Sequence, residues 1–358
     1  QFAEQIVPGT FIRVQAESLI APKGVASGNV GIVGTAANAQ GGPDVIKKTQ
    51  ILSSLEDARK VYDLSDAVSA GTKNLMRSLE LLFRNGATTV YSYSLAAGAT
   101  QQDFSDAVAE LLKEDINILI APELATATAK TVLGAVDTAE TQGRDVLAVI
   151  GCDADTVAGI TANGYITANK RFVMCAPGLT AYDVAAKKEV AYPGNYTAAA
   201  VAGLIASLAP QSSPTNKVLP AVGTLNKKYG YGELKSLLTA NILVLENRQG
   251  VRVVRGLTTE GAAFSQITTR RITDYAKAGI RQVSGPFIGK LNNERVRKAL
   301  HGAIDNFLTT MVVDEALTGY TLEVKATRAD EISGRCVVNV AMQPTFSIDY
   351  IRVTLALS

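Results

Sequence analysis

At 358 residues, 47% hydrophobic and only 19% charged, the chain is long enough for two ordinary domains and too apolar to be intrinsically disordered. The formal charge of +2 is unevenly split: residues 1–209 carry 16 Lys and Arg against 21 Asp and Glu, and residues 210–358 carry 19 against 12. A basic C-terminal half is suited to an acidic partner or nucleic acid, but no RNP motif, zinc finger or Arg/aromatic alternation accompanies it, so direct nucleic-acid binding is not expected.

The chain opens on "QFAEQIVPGTFIRVQ", which lacks a basic segment followed by an apolar core and so does not read as a secretory signal. Phe11, Ile12 and Val14 form a strand-like stretch set off from the body of the chain by Pro22 and Gly24. From Asn29 short apolar runs ("NVGIVGTA", "TTVYSYSL", "INILIAP", "DVLAVIG", "RFVMCAP") alternate with amphipathic stretches of helical period, the pattern of a mostly parallel sheet covered by helices. The longest apolar run, "AAAVAGLIASLA", falls short of the roughly 20 residues that cross a bilayer, so no membrane insertion is expected.

A Pro/Ser-rich stretch, "PQSSPTN", suggests a boundary near residue 210. Beyond it, "ILVLENRQGVRVVRG" predicts a hairpin turning at Arg248–Gly250, and two helices come next. In the second, Val296, Leu300, Ile304, Leu308 and Met311 share one face. "YTLEVKAT" and "RCVVNVAM" then predict an antiparallel pair. After Pro344 a last run, "FSIDYIRVTLALS", carries Phe346, Ile348 and Tyr350 on one parity and Ile351, Val353, Leu355 and Leu357 on the other. That slip predicts a bulge or kink near Tyr350.

Catalytic motifs fail one by one. "VGIVGTAANAQGG" lacks the G-x-G-x-x-G spacing that brings a pyrophosphate onto a helix N-terminus. "GPFIGKL" is one residue short of a phosphate loop, with Leu291 where the metal-binding hydroxyl belongs. His301 is the sole histidine and is expected to pair locally with Asp305. Cys152, Cys175 and Cys336 are too scattered for a disulfide framework or CxxC site and are expected to be small buried hydrophobes. "NYT" at 195–197 matches a glycosylation sequon without a secretory route to go with it. No catalytic, cofactor or metal site is expected.

The two ends carry a resemblance. "VPGTFIRVQ" with "GNVGIVGTAANAQGGPDVIKKTQILSSLEDARKVYDLS", and the C-terminal "RRITDYAKAGIRQVSGPFIGKLNNERVRKALHGAIDNFLTTM" with "VVNVAMQPTFSIDYIRVTLAL", resemble the contractile tail sheath proteins of bacteriophages over roughly the first 65 and last 120 residues. The resemblance implies an N-terminal arm (1–22), an N-terminal α/β layered domain (23–210), a C-terminal α+β domain (211–344) whose mixed sheet is completed by arms exchanged between subunits, and a donated strand (345–358). It implies a non-enzymatic subunit, without cofactor, that polymerises as stacked hexameric rings around an inner tail tube and contracts to drive the tube through a bacterial envelope. Its partners would be itself, the inner tube protein, and the baseplate and tail terminator proteins; it would be assembled in the host cytoplasm and reside in the virion tail. The strands exchanged would be those of Phe11, Ile12 and Val14 and of Phe346, Ile348, Tyr350, Ile351, Val353, Leu355 and Leu357. Arg295, Arg297 and Lys298 would face the tube. Two alternatives remain open: a nucleotide-binding α/β enzyme, and the sheath of an R-type bacteriocin or other contractile injection particle.

Overall fold

The computed structural model describes residues 25–66, 72–162 and 167–355. Phe11, Ile12, Val14 and Leu357 lie outside that range. The first strands, β1 (Val30–Thr35), β2 (Thr49–Leu52), β3 (Val90–Leu95), β4 (Ile118–Ile120), β5 (Leu147–Gly151) and β6 (Phe172–Ala176), are joined by helices α1 (Leu55–Val61), α2 (Leu75–Arg84), α3 (Gln101–Leu111), α4 (Thr126–Leu133), α5 (Ala135–Thr141) and α6 (Val157–Ile160). Next come a small antiparallel sheet of β7 (Leu179–Asp183), β8 (Lys188–Ala191) and β9 (Thr224–Leu225), the helices α7 (Thr197–Ser207) and α8 (Tyr231–Thr239), and the hairpin β10 (Leu243–Asn247) and β11 (Val251–Val253).

The main sheet has the order β11-β10-β6-β5-β4-β1-β3-β2, with six parallel strands flanked by an antiparallel strand at each edge. The central strands are apolar on both faces because both are covered. On one side Ile32, Ile120, Val149 and Val173 pack under α2 and α7; on the other Val33, Leu119, Ala148 and Met174 pack under α3, α4, α5 and α8. Helix α7, the run "AAAVAGLIA", is buried along nearly its whole length. It lies so close to α2 that a Cβ at Gly203 would stand 2.4 Å from the Leu82 carbonyl oxygen, so only glycine permits the approach.

The sheet does not stop at the division expected between residues 210 and 211. β10 pairs in parallel with β6 (Leu243 beside Cys175, Val244 beside Ala176), so "PQSSPTN" is a partly buried connection inside the first unit. Among the described residues the second core begins at Phe264. Helices α9 (Ile267–Ser284) and α10 (Glu294–Val313) pack through Ile272, Ala276, Ile304, Phe307 and Leu308 against β12 (Leu317–Lys325) and β13 (Val337–Pro344), with the short α11 (Arg328–Ile332) between these strands.

The two units are joined by buried charge. Arg171, fully buried beside β6, binds Glu140 through Nε (2.8 Å), Asp145 through Nη2 (2.8 Å) and Asp274 of α9 through both Nη atoms (3.1 and 3.2 Å). Three cations of α9 answer the same carboxylates: Arg270 meets Asp274, Lys277 meets Asp145 and Glu140, and Arg281 meets Asp145 at 2.8 Å. The stripe Arg270, Asp274, Lys277, Arg281 is thus turned inward onto the first unit.

Two local expectations are corrected. Cys152 and Cys175 are buried but Cys336, just ahead of β13, is exposed. Asp305 accepts a hydrogen bond from the Tyr320 hydroxyl (2.7 Å) in place of pairing with His301, because β12 brings that phenol under α10.

Candidate functional site

An open parallel sheet offers ligands a crevice at the carboxyl ends of the strands where the connections diverge, here between β1 and β4. That place is filled from within. Glu123, just past β4, accepts at Oε1 from the Thr35 N–H (2.5 Å) and at Oε2 from the Thr35 hydroxyl (2.8 Å). The backbone donor at the end of β1 is therefore already taken by a carboxyl group, where a phosphate would need it free. A Cβ at Gly34 would fall 2.5 Å from Glu123 Oε1, so the glycine of "GIVGTA" makes room for this side chain. Behind it Arg77, buried, binds Asp183 (3.2 Å) and Asn74 (2.9 Å). Among the described residues no group of three His, Cys, Asp or Glu is placed to hold a metal, and no helix is long and apolar enough to cross a membrane.

Burial pushes the Glu123 acid up to about 7, against the pull of its Thr35 and Asn74 donors and of Arg77. Its folded value lies above the unfolded one, so the stability it contributes is complete below about pH 4.5 and is lost as pH rises through 7. Glu123→Gln is expected to raise the melting temperature by about 3–6 °C at pH 8 and by much less at pH 5. Equal shifts at the two pH values would contradict this reading.

The second unit presents a different feature. The β12–β13 hairpin runs in register from Leu317 beside Pro344 to Lys325 beside Val337, with an irregularity between Leu317 and Gly319. Tyr320, Leu322, Val324, Val338, Val340 and Met342 point to the α9–α10 core, while Thr321, Glu323, Asn339, Ala341 and Gln343 face outward. Two strands on one helical layer make a marginal sheet. Among the described residues both of its outer edges are unpaired, each a row of free N–H and C=O groups.

The chain beyond β13 supplies the complement. Thr345 donates its N–H to the Ala316 carbonyl (3.1 Å), after which residues 346–355 pair with no strand among the described residues. Phe346 and Ile348 point outward from a stretch that is tied down at Ser347 and Asp349. Tyr350, Ile351, Val353 and Leu355 lie beyond the tie and are 71–85% exposed. The phase slip legible near Tyr350 coincides with the end of this tethered stretch. Among the described residues an apolar segment and an open sheet edge each lack a strand partner, which is the arrangement a β-augmentation contact would use.

The three basic residues of α10 are not equivalent. Arg297 is half-buried and bound to Glu331 (3.0 Å), and Lys298 is paired with Glu294 one turn back (2.7 Å). Arg295 is exposed and, among the described residues, has no carboxylate partner. Sequence reasoning missed Glu123 and Arg171; "IAPE" at a strand end was the one visible signal for the first, and none marked the second.

Comparison with known proteins gives the class. The model of the phage tail sheath protein central domain matches residues 97–259, and that of the phage tail sheath C-terminal domain matches residues 259–358. The chain belongs to the phage tail sheath protein family, and its junction between matched domains falls close to the end of β11. Among solved structures it is similar to a chain of the anti-feeding prophage baseplate, at 19% identity and a TM-score of 0.77 over 99% of this chain and 100% of that one. It is also similar to the sheath complex of an extracellular contractile injection system in the contracted state (18%, TM-score 0.74, 99% of each chain) and to a sheath tail protein of Listeria innocua (14%, TM-score 0.70, 91% of this chain and 94% of that one). A search of curated proteins returns no significant sequence match.

Proposed function

We propose that this chain is the subunit of a contractile sheath, polymerising as stacked six-membered rings around an inner tube and shortening to drive that tube through a bacterial envelope. The observation that supports the reading is that a chain of the sheath family carries an exposed apolar segment and, among the described residues, a hairpin whose outer edges are open. The arms, residues 1–22 and 345–358, would join neighbouring copies, while the main sheet with the α9–α10 unit forms the body between them. The subunit works without catalysis: the crevice of the sheet is closed by Glu123, and the shape change draws on packing differences between subunits. Its partners are other copies of itself, the inner tube, and the baseplate and terminator proteins at the two ends, and it is assembled in the cytoplasm of the producing cell.

The full-length match to the sheath of an extracellular injection system favours a phage tail-like injection particle as the second reading beside a phage tail, with the same subunit mechanics. Purified intact chain, with chelator present and no nucleotide, is expected to form tubes or stacked rings in negative-stain micrographs. A strict requirement for nucleotide or metal, or monomer at every concentration, would contradict the proposal.

We assign the tube-facing role chiefly to Arg295, which has no carboxylate partner among the described residues, whereas Arg297 and Lys298 each pair with a glutamate. Arg295→Glu is expected to weaken co-assembly on an acidic inner tube several-fold at physiological salt, where the Debye length is about 8 Å, and Lys298→Glu much less. Equal binding by Arg295→Glu and parent would remove the assignment.

A further inference from the structure

Between the last paired residue of β13 and the exposed arm lies a compact polar knot. The Asp349 carboxylate is 6% exposed and accepts from Arg255 Nε (2.6 Å), Gln266 Nε2 (3.1 Å), Thr215 Oγ1 (3.4 Å) and Ser347 Oγ (3.5 Å). Gln266, at the N-terminal boundary of α9, closes a second ring with the backbone of Ser347: its amide donates to the Ser347 carbonyl (3.3 Å) and its Oε1 accepts the Ser347 N–H (3.2 Å). The Arg255 guanidinium also lies over the Tyr350 ring, 5.3 Å from its centre. Thr215 and Arg255 come from the connection after α7 and from just beyond β11, so the knot ties the root of the arm to the sheet-bearing unit.

This arrangement solves a problem inherent in any donated strand. Residues 345–349 are five in number, a common length for a hairpin loop. Left free, they would let residues 350–358 fold back and pair with the open edge of β13 in their own chain. Self-pairing is intramolecular, with an effective concentration in the millimolar range for so short a connection, and would outcompete a neighbouring copy. The knot holds Ser347 and Asp349, two of those five residues, with bonds to Gln266, Arg255 and Thr215, so the segment is not free to turn back as a loop.

We propose that Asp349, Arg255 and Gln266 are positioning residues for arm donation, a clasp that directs residues 350–358 away from their own hairpin and toward a second copy of the chain. The proposal rests on the strand-donation reading above. Asp349→Ala, and separately Gln266→Ala, test it through two readouts on the full-length chain. Tube yield is expected to fall at least tenfold in both variants while the thermal melting of the dilute monomer stays close to that of the parent. In that dilute monomer, amide hydrogen exchange of residues 351–355 is expected to slow at least tenfold relative to the parent, as the released arm pairs with its own β13. Parent-like tube yield in both variants, or arm amides that exchange as fast as in the parent, would overturn the clasp. A chain truncated after Asp349 separates the two levels: if it still polymerises, strand donation itself is wrong, whereas if it does not and Asp349→Ala assembles normally, only the clasp is.

Discussion

A chain ending at Asp349 is expected to fold normally and to form no tubes. Among the described residues, 350–355 of the removed segment make no strand pair, and the apolar side chains at 350, 351, 353 and 355 are exposed. The fold therefore loses little when the segment goes, and the melting temperature should stay within about 2 °C of the parent. The polymer loses much more. Each of those side chains would contribute about 1.5–3 kcal/mol if buried on a neighbour, and each new ladder bond about 0.5–1.5 kcal/mol net, before the cost of ordering the segment. A surplus of even about 3 kcal/mol per arm raises the concentration needed for assembly more than a hundredfold. The cut belongs after Asp349 and not before Thr345, because Thr345, Ser347 and Asp349 bond to their own chain. Normal tubes from the truncated chain, or loss of its circular dichroism signal, would contradict the account.

The largest expected loss of stability comes from Asp274→Ala. Asp274 is the carboxylate that α9 contributes to the buried network, and it answers both Arg171 and Arg270, each of which is almost wholly buried. Without it the cluster holds Lys170, Arg171, Arg270, Lys277 and Arg281 against Glu140 and Asp145 alone, two guanidinium groups losing a partner away from water. Removing one member of a buried pair costs about 3–5 kcal/mol, which at this chain length lowers the melting temperature by roughly 4–7 °C. A drop under about 2 °C would show that water reaches the cluster and that it does not brace the two units. The cations around Asp274 hold its acid below the usual carboxylate range despite burial. Its contribution is therefore present above about pH 4 and is lost only as pH falls through the lower folded value, the opposite sense to Glu123. Acid thus relieves the burial cost at Glu123 before it touches the brace.

The part of the fold legible in the sequence came from periodicity. The five apolar runs from Asn29 to Pro177 became β1, β3, β4, β5 and β6, since strands buried on both faces are continuous in apolar residues. The stripe of Leu300, Ile304, Leu308 and Met311 is the buried face of α10. The hairpin at Arg248–Gly250 is present, but as the edge of the main sheet, because a hairpin signal says nothing of which sheet it joins. β2, four residues of an edge strand, was too short and too polar to register. The polar stripe of α9 is buried against the first unit, and nothing in the sequence marked it, since charged side chains that answer one another across 100 residues of chain leave no local pattern. The exposed apolar segment after Pro344 was legible as an alternation with no partner nearby in sequence. The polar bonds at its root were not, because Thr215, Arg255 and Gln266 meet Asp349 only through the fold.

The most direct measurement is a helical reconstruction of the assembled chain by electron cryomicroscopy, at a resolution that traces side chains. The account predicts that Tyr350–Leu355 lies as an added strand on an open edge of the β12–β13 hairpin of a neighbouring copy, with Asp349 still bound to Arg255 of its own chain. A polymer in which that hairpin keeps both edges bare, or in which the arm runs back along its own subunit, would contradict it.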